Sequence, residues 1–261
     1  MAAVTTSADG SGPGVNVVGR AAAVLRAVAA AEPTGISTTD LARSAGLARP
    51  TAHRLLTALA AEDLVARDRS GLWSLGSELY LLSVGAAARY EVTGRVRPAV
   101  ARLARETGES AFFSARRGDE TVCVLAEEGS FPLRSHVLHV GIRFPLAVAS
   151  AGLAILAHLP DADVDGYFAR VRPEEGWGPA HAEPQIRTRI AATRETGYAI
   201  NPGLIVEGSW GMAAAVFDGN GAPAWALSLT GVETRFKPER RRELGDLLLH
   251  QAHLLSGALQ T

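Results

Sequence analysis

The sequence predicts an α+β protein with two folded parts, a small N-terminal winged helix-turn-helix and a larger mixed α/β domain, joined by a linker helix. Three short helical segments come first, a hairpin pattern around a glycine follows them, and helices then alternate with strands along the rest of the chain. The predicted parts are a disordered tail, the winged helix, the linker helix and the larger domain, over residues 1–16, 17–76, 77–94 and 95–261.

Composition limits the classes to which this chain can belong. It has 261 residues, of which 47% are hydrophobic, enough for one large core or two ordinary ones. The 26 basic and 27 acidic residues nearly cancel, so any surface for nucleic acid must be local. Cys123 is the one cysteine, which excludes an internal disulfide and a thiolate-rich metal site and fits a reducing compartment.

No segment has the pattern of a secretory signal or of a membrane span. Residues 1–16 lack a basic region followed by an apolar one. The apolar stretch around Ser150 and Gly152 is interrupted and is well short of the ~20 residues that span a bilayer. We therefore expect a cytoplasmic protein without a membrane partner.

The first two predicted helices are short. Apolar residues at helical spacing predict the first over residues 17–31. The second is predicted over residues 39–45, where Ser37 or Thr38 can cap its start and Gly46 ends it. A tight turn then leads into a third helix, as in a helix-turn-helix.

The third helix, opened by Pro50, lies in the stretch GLARPTAHRLLTALAAEDLV and has an apolar face with a polar N-terminal end. Arginine can bond guanine or phosphate, hydroxyl and imidazole groups can bond either, and a helix N-terminus attracts a phosphate oxygen. Two short runs around Gly71 then predict a hairpin, which completes a winged helix. The predicted DNA contacts are Thr38, Arg49, Thr51, His53, Arg54, Arg67 and Arg69.

A single unit of this kind should bind DNA weakly. Residues 1–90 contain eight arginines and seven acidic residues, a net charge of only +1. This predicts dimers that read paired half-sites about one helical turn apart. In the linker helix, Leu79, Leu82 and Ala86 form an apolar stripe that we expect to pack against a second subunit. A solvated polar face on a small helical bundle is the alternative for the third helix.

The larger domain should contain a closing C-terminal helix and an Asn220-Gly221 hairpin. The predicted helices are Pro98 to Thr107, Ala149 to His158, Glu183 to Thr196 and Pro238 to Leu255. The predicted strands are Ser110 to Ala115, Thr121 to Ala126, Met212 to Phe217 and Ala224 to Leu229.

Enzyme and metal sites have little support in the sequence. Gly108 to Ala111 resembles a nucleophile elbow, but a helix precedes it and a strand follows, the reverse of what that motif requires. Two histidine pairs, His136 with His139 and His250 with His253, lack a third ligand at suitable spacing. We expect no catalysis, metal or cofactor. The alternatives are an enzyme of small-molecule metabolism that uses the winged helix for docking, and a protein-interaction scaffold.

The whole chain from about Val17 resembles the IclR family of bacterial transcriptional regulators. The DNA-binding part has Gly46-Leu47, Thr51, Arg54-Leu55-Leu56 and Leu59, with Leu75-Gly76 at the end of the wing. The larger domain has LARETGES, PLAVASAGLAILAHLP, RETGYAI and GMAAAVFDGNGAPAWALSLTG. This resemblance implies a GAF-like effector-binding domain, a homodimer or homotetramer, operator DNA as a partner, and a regulator that responds to a small molecule.

The resemblance also implies an effector site between a helix near Ser150 and a strand near Met212. Leu153 stands where the family usually has a lysine, and Gly203-Leu204 replaces an acidic pair. With Trp210 nearby, these changes predict an effector with a hydrophobic or aromatic body and one polar end, for example a carboxylate. The residues carried over to this site are Leu146, Ser150 and Ala151 on one wall and Asn201, Ser209 and Gly211 on the other.

Overall fold

The computed structural model describes residues 16–87, 92–135 and 137–259. The chain divides into two compact units, Met1–Tyr90 and Glu91–Thr261, and each is described by itself. The predicted tail, residues 1–16, lies outside the described residues except for Asn16. Asn16 caps the first helix, since its side chain accepts a hydrogen bond of 2.7 Å from the Gly19 amide.

The N-terminal unit is the predicted winged helix-turn-helix. Its elements are α1 (Val17–Ala29), α2 (Thr38–Ser44), α3 (Arg49–Ala61), β1 (Val65–Arg67), β2 (Trp73–Leu75) and α4 (Ser77–Ala87). Ser37 is the N-cap of α2 and accepts from the Asp40 amide at 3.1 Å, so Thr38 is the first helical residue and not the cap. The core of this unit packs α1, α2 and α3 against the wing through Val24, Val28, Leu41, Leu56 and Trp73.

The wing is fixed to the helices at both ends. β1 and β2 pair antiparallel, with Val65 opposite Leu75, and Trp73 also bridges to Ile36 before α2. At the exit of the wing, Gly76 passes so close to the Asp63 carbonyl that a side chain at this position would collide with backbone. A glycine is therefore required where the chain turns from the wing into α4.

The predicted linker helix is present as α4. It is described over Ser77–Ala87, residues 88–91 lie outside the described residues, and α5 spans Val92–Thr107. The prediction of a helix starting at Pro98 was wrong, because this proline lies inside α5. The apolar spacing of Val96, Val100 and Leu103 continues through Pro98, and burial of that face outweighs the one backbone hydrogen bond that proline removes.

The C-terminal unit is built on an antiparallel sheet of six strands in the order β5-β4-β3-β8-β7-β6. The four predicted strands are present, and the sequence missed the short β5 and β6. The strands are β3 (Ser110–Arg117), β4 (Glu120–Glu127), β5 (Arg143–Pro145), β6 (Tyr198–Pro202), β7 (Ser209–Phe217) and β8 (Pro223–Val232).

Helices cover both faces of this sheet. The helices beyond α5 are α6 (Ser150–Ala157), α7 (Asp161–Arg170), α8 (Glu174–Trp177), α9 (Glu183–Thr196) and α10 (Pro238–Leu259). On one face α5 and α10 pack on residues such as Leu227 and Leu229, whereas on the other α6 and α9 pack on the small side chains of Ala213 and Ala226. Among the described residues, no helix is both long and apolar enough to cross a membrane.

Candidate functional site

The exposed edge of α3 carries the predicted DNA-binding side chains. Arg49, His53 and Arg54 are exposed and Thr51 is partly buried, while Ala52, Leu56 and Leu59 on the opposite face are buried. The N-cap, Ala48, offers no side-chain acceptor. Within the described part of the chain, no hydrogen bond or ion pair engages the three exposed side chains, so their donors remain available to a ligand.

The wing presents two further arginines. Arg69 is exposed at its tip. Arg67 lies back along the hairpin: its Nε donates to the Gly71 carbonyl at 3.2 Å, and its guanidinium lies 5.4 Å from the centre of the Trp73 ring. Arg67 therefore has fewer available donors than Arg69.

Thr38 is not part of this exposed edge. It is only 8% exposed, and its Oγ1 accepts a hydrogen bond of 2.9 Å from the indole Nε1 of Trp73. The hydroxyl therefore satisfies a buried donor of the wing. Thr38, predicted as a DNA contact, thus also holds the wing against α2.

In the C-terminal unit, two rows of side chains cross the sheet on the face covered by α6. In one row Ser110 pairs with Thr230, Thr230 with Gly211, and Gly211 with Asn201. In the second row Phe112 pairs with Ser228 and Ser228 with Ala213. Directly opposed residues project from the same face of a sheet, so these rows place several polar atoms side by side under α6.

Two hydroxyls in these rows are buried without a partner. Ser228 is 0% and Thr230 4% exposed, and neither Oγ nor Oγ1 has a hydrogen-bond partner among the described residues. An unpaired buried hydroxyl is costly and therefore uncommon in a folded core. Such a pair in the middle of one sheet face is typical of a place where a ligand supplies the missing partner.

A cavity of about 380 Å³ opens beside these rows. It contains Ser110 and Phe112 of the two rows, and the Ser110 hydroxyl already accepts from the Gly129 amide at 3.2 Å. At its rim Glu128 forms an ion pair with Arg134. The volume suits a small organic molecule. The lining residues are Ser110, Phe112, Ala126, Glu127, Glu128, Arg134, Ser135, Leu138, His139 and Val140.

The structure places the first predicted wall at the start of α6. Leu146, Ser150 and Ala151 are all buried. Ser150 is the first helical residue and the N-cap is Ala149, which has no side-chain hydrogen bond, so Ser150 is not the cap of α6. Its Oγ lies 3.0 Å from the point that a Cβ on Gly211 would occupy. The two predicted walls thus meet at Ser150 and Gly211.

On the second wall, the polar groups are already engaged with the protein. Asn201 Nδ2 donates to the Val148 carbonyl at 2.8 Å, and its Oδ1 accepts from the Leu204 amide at 3.0 Å. The hydroxyl of Ser209 bonds that of Ser135, a residue of the cavity, at 2.6 Å. Asn201 and Ser209 therefore hold loops in position around the site.

Sequence reasoning missed Ser228 and Thr230. Their alternation with Leu227 and Leu229 is visible in ALSLTG, but the same alternation is typical of a strand with one solvated face. The sequence does not show that α6 buries this face. His136, of the first predicted histidine pair, lies outside the described residues. Within the ranges that the structure describes, no group of three His, Cys, Asp or Glu side chains is placed to hold a metal ion.

Comparison with known proteins identifies both units. Residues 17–69 match the model of the IclR helix-turn-helix domain, and residues 84–257 match that of the bacterial transcriptional regulator IclR C-terminal domain. The chain belongs to the IclR family. Its relatives include the HTH-type transcriptional regulator BhcR of Paracoccus denitrificans, 27% identical over 251 residues that cover 95% of this chain and 88% of BhcR.

Solved IclR-family structures have the same fold. An IclR transcriptional regulator from Alicyclobacillus acidocaldarius superposes with a TM-score of 0.78 at 24% identity, covering 95% of this chain and 100% of that one. A homologue from Microbacterium hydrocarbonoxydans, complexed with 4-hydroxybenzoate, has a TM-score of 0.74 at 21% identity and covers 94% and 99% of the two chains. This IclR-family protein is thus a DNA-binding regulator with a C-terminal effector domain, and not an enzyme.

Proposed function

We propose that this IclR-family protein binds paired operator half-sites as a dimer or tetramer and releases or gains DNA affinity when a small molecule binds its C-terminal unit. The DNA surface is the edge of α3 formed by Arg49, Thr51, His53 and Arg54, together with Arg67 and Arg69 of the wing. The exposed arginines supply donors for guanine edges and phosphates. The net charge of the unit is small, so placement of these groups and pairing of two units supply the affinity.

Pairing is supported by the exposed apolar surface of α4. Tyr80, Leu81, Leu82 and Val84 are each more than half exposed, with Leu82 at 57%. An isolated surface helix rarely leaves four adjacent apolar side chains in water. We assign this surface to a second copy of the chain. Leu79 of the predicted stripe is partly buried, and the side chain of Ala86 lies outside the described part of the protein.

The effector site lies on the α6 face of the sheet, and the unpartnered hydroxyls of Ser228 and Thr230 carry this proposal. A carboxylate, carbonyl or hydroxyl on a ligand would supply their missing partners. Ser150, at the uncapped start of α6, would add a donor and the positive end of the helix dipole. Leu146, Ala151 and Phe112 provide apolar surface for the body of the ligand.

We therefore infer an effector with an aromatic or hydrophobic body and one polar end. It must bind the DNA-competent and DNA-incompetent arrangements with different affinity, because equal affinity would shift nothing. A gel-shift titration with the DNA upstream of the protein's own gene, with and without a panel of small aromatic acids, tests both halves of the proposal. 4-Hydroxybenzoate is the first ligand to test. If no member of the panel binds in calorimetry and none alters DNA binding, the proposed class of effector, an aromatic or hydrophobic molecule with one polar end, is contradicted.

The hydroxyl pair gives a sharper test. Ser228→Ala and Thr230→Val should each weaken effector binding by about 1 to 3 kcal/mol. The free energy of unfolding of the unliganded protein should stay the same or rise, since each substitution removes an unpaired buried polar group. Ser256→Ala is the matched control. Its buried hydroxyl donates to Ala252 at 2.8 Å and accepts from Phe217 at 3.0 Å, so this change should lower stability and spare the effector.

Two further substitutions test the predicted walls. Ser150→Ala should weaken effector binding directly, by removing a hydroxyl donor. Asn201→Ala should weaken effector binding indirectly, by releasing the loop around Leu204. It should also lower stability, since the side-chain amide of Asn201 both donates and accepts a hydrogen bond. Effector affinity that is unchanged in both variants and in Ser228→Ala would place the effector site elsewhere.

A further inference from the structure

A second cavity, a shallow pocket of about 330 Å³ that is open to the surface, lies where β8 leads into α10. Its lining residues are Thr234, Arg235, Lys237 and Arg240. All four side chains can donate hydrogen bonds, three are cations, and no acidic residue lines the cavity. It shares no lining residue with the cavity beside Phe112.

A buried carboxylate fixes the two arginines. Glu109 is only 1% exposed and forms ion pairs with Arg235 and Arg240, the latter at 2.7 Å. Both guanidinium groups also donate to the Thr107 carbonyl, at 3.2 Å from Arg235 and 2.6 Å from Arg240. These bonds hold the arginines in one geometry, so little side-chain entropy is left to lose when a ligand binds.

The charge of the cluster is not balanced. Glu109 pairs with Arg235 and Arg240, and Lys237 adds a third positive charge, so one carboxylate is set against three cations and two positive charges are uncompensated. Glu233 and Glu239 are nearby in sequence, but both are exposed, and within the described residues neither forms an ion pair with the cluster. Lys237 is exposed and directly precedes Pro238, the first residue of the 22-residue α10, so the positive end of a long helix dipole adds to this field.

Arg235 has a further restraint. Its guanidinium lies 4.0 Å from the centre of the Phe131 ring. A stacked guanidinium presents its remaining N–H groups in the plane of the fork, which is the geometry that oxyanions accept. The ammonium of Lys237 and the hydroxyl of Thr234 can approach the same anion from other directions.

We propose that this cavity is a second ligand site, separate from the effector site, and that it binds a phosphate-type oxyanion. A tetrahedral anion can accept from the Arg235 fork, the Lys237 ammonium and the Thr234 hydroxyl together. A planar carboxylate has fewer acceptors and uses this arrangement less completely. Binding compensates the two positive charges that Glu109 leaves unpaired.

The sequence offers a direct measurement, because Lys237 is its one lysine. The rate of Lys237 acetylation by an amine-reactive reagent is followed by mass spectrometry on the full chain, with a lysine-containing peptide added as an internal reference. Inorganic phosphate should slow acetylation of Lys237 several-fold relative to the peptide, and chloride at equal ionic strength should not. Equal protection by the two salts, or stronger protection by malonate than by phosphate, would overturn the proposal.

Calorimetry with inorganic phosphate on variants provides the second arm. Lys237→Gln, at an exposed position, should keep the fold and lose several-fold in phosphate affinity. Arg242→Gln removes an exposed cation of α10 that does not line the cavity, and should bind phosphate as the parent does. Equal affinity in all three proteins would show that phosphate binds elsewhere, and would overturn the assignment even if acetylation were slowed.

Discussion

In the N-terminal unit the polar side chains proposed to bind a ligand extend into solvent, whereas in the C-terminal unit they lie inside the core. Arg49 and Arg54 on α3 are exposed, and an apolar face behind them fixes the helix. Ser228 and Thr230 are buried on the face of the sheet that α6 covers. A surface that meets a large, charged partner can be built on any stable helix. A site that must enclose a small molecule has to leave core polar groups unpaired until the ligand arrives.

The largest expected effect comes from disrupting the proposed pairing of two N-terminal units. Leu82→Glu should break the proposed contact between two copies of α4 and, through lost avidity, lower the apparent operator affinity by roughly 10² to 10⁴. Sedimentation and gel-shift titration measure the two effects. Leu254→Glu, at a leucine of α10 that is 52% exposed, is the matched control and should leave both unchanged. A monomer in the parent protein at micromolar concentration would contradict the assignment.

Removal of one cation from α3 should have the next largest effect. Arg49→Ala or Arg54→Ala should weaken specific operator binding by about 1 to 3 kcal/mol, while non-specific binding changes less. Arg69→Ala should instead weaken binding to all DNA sequences alike, and should reduce the slope of log affinity against log salt concentration by about one. Arg26→Ala, at an exposed position of α1, serves as the control. If both α3 variants fold and bind the operator as tightly as the parent protein does, the proposal that α3 contacts the bases is contradicted.

A buried polar group of the C-terminal unit should reveal itself through pH. His181 is 0% exposed, burial lowers its pKa below the ordinary value of 6.5, and the positive charge of Arg189 acts in the same direction. As pH falls below 6.5 the unfolded chain takes up a proton at this position before the folded one does, so the protein loses stability toward acid.

His181→Gln should therefore make the decline in unfolding free energy between neutral pH and about pH 5 shallower, by at most about 1.4 kcal/mol per pH unit. Chemical denaturation across this range measures the slope. An identical slope in the parent and in His181→Gln would mean that His181 is protonated in the folded state as readily as in the unfolded one.

The smallest expected effect is that the buried thiol of Cys123 reacts very little with an alkylating reagent. Cys123 is 2% exposed, and burial raises the pKa of its thiol to about 12. Only the thiolate is nucleophilic, so an alkylating reagent at neutral pH should modify this residue only as fast as the protein opens. Mass spectrometry of the native and denatured protein measures the two rates. Comparable rates would show that the buried face of the sheet is open to solvent.

The same contrast explains which parts of the molecule the sequence could predict. α9 was predicted from Glu183 to Thr196, as observed, and its C-terminal end was predictable because Gly197, at φ of +82°, ends the helix. The exposed edge of α3 was predicted because its polar residues interrupt an apolar pattern at helical spacing. Both features depend on neighbours in the chain.

Features that depend on distant parts of the chain were missed. β5 has three residues and pairs only with β4, so no periodicity marks it. The hydrogen bond between Thr38 and the indole of Trp73 was missed because the two residues are 35 positions apart. Ser228 and Thr230 escaped notice because their burial depends on α6, whose eight residues are all buried and show no polar face.

The make-up of the proposed DNA surface limits how a cell could adjust it. Its permanently charged side chains are arginines, at positions 49, 54, 67 and 69, and residues 1–90 contain no lysine. Acetylation, which neutralises lysine and leaves arginine untouched, has no side-chain target there. Lys237, in the C-terminal unit, is the one lysine side chain that acetylation could neutralise. Regulation by lysine acetylation would therefore act at the cavity beside α10, far along the chain from the proposed DNA surface.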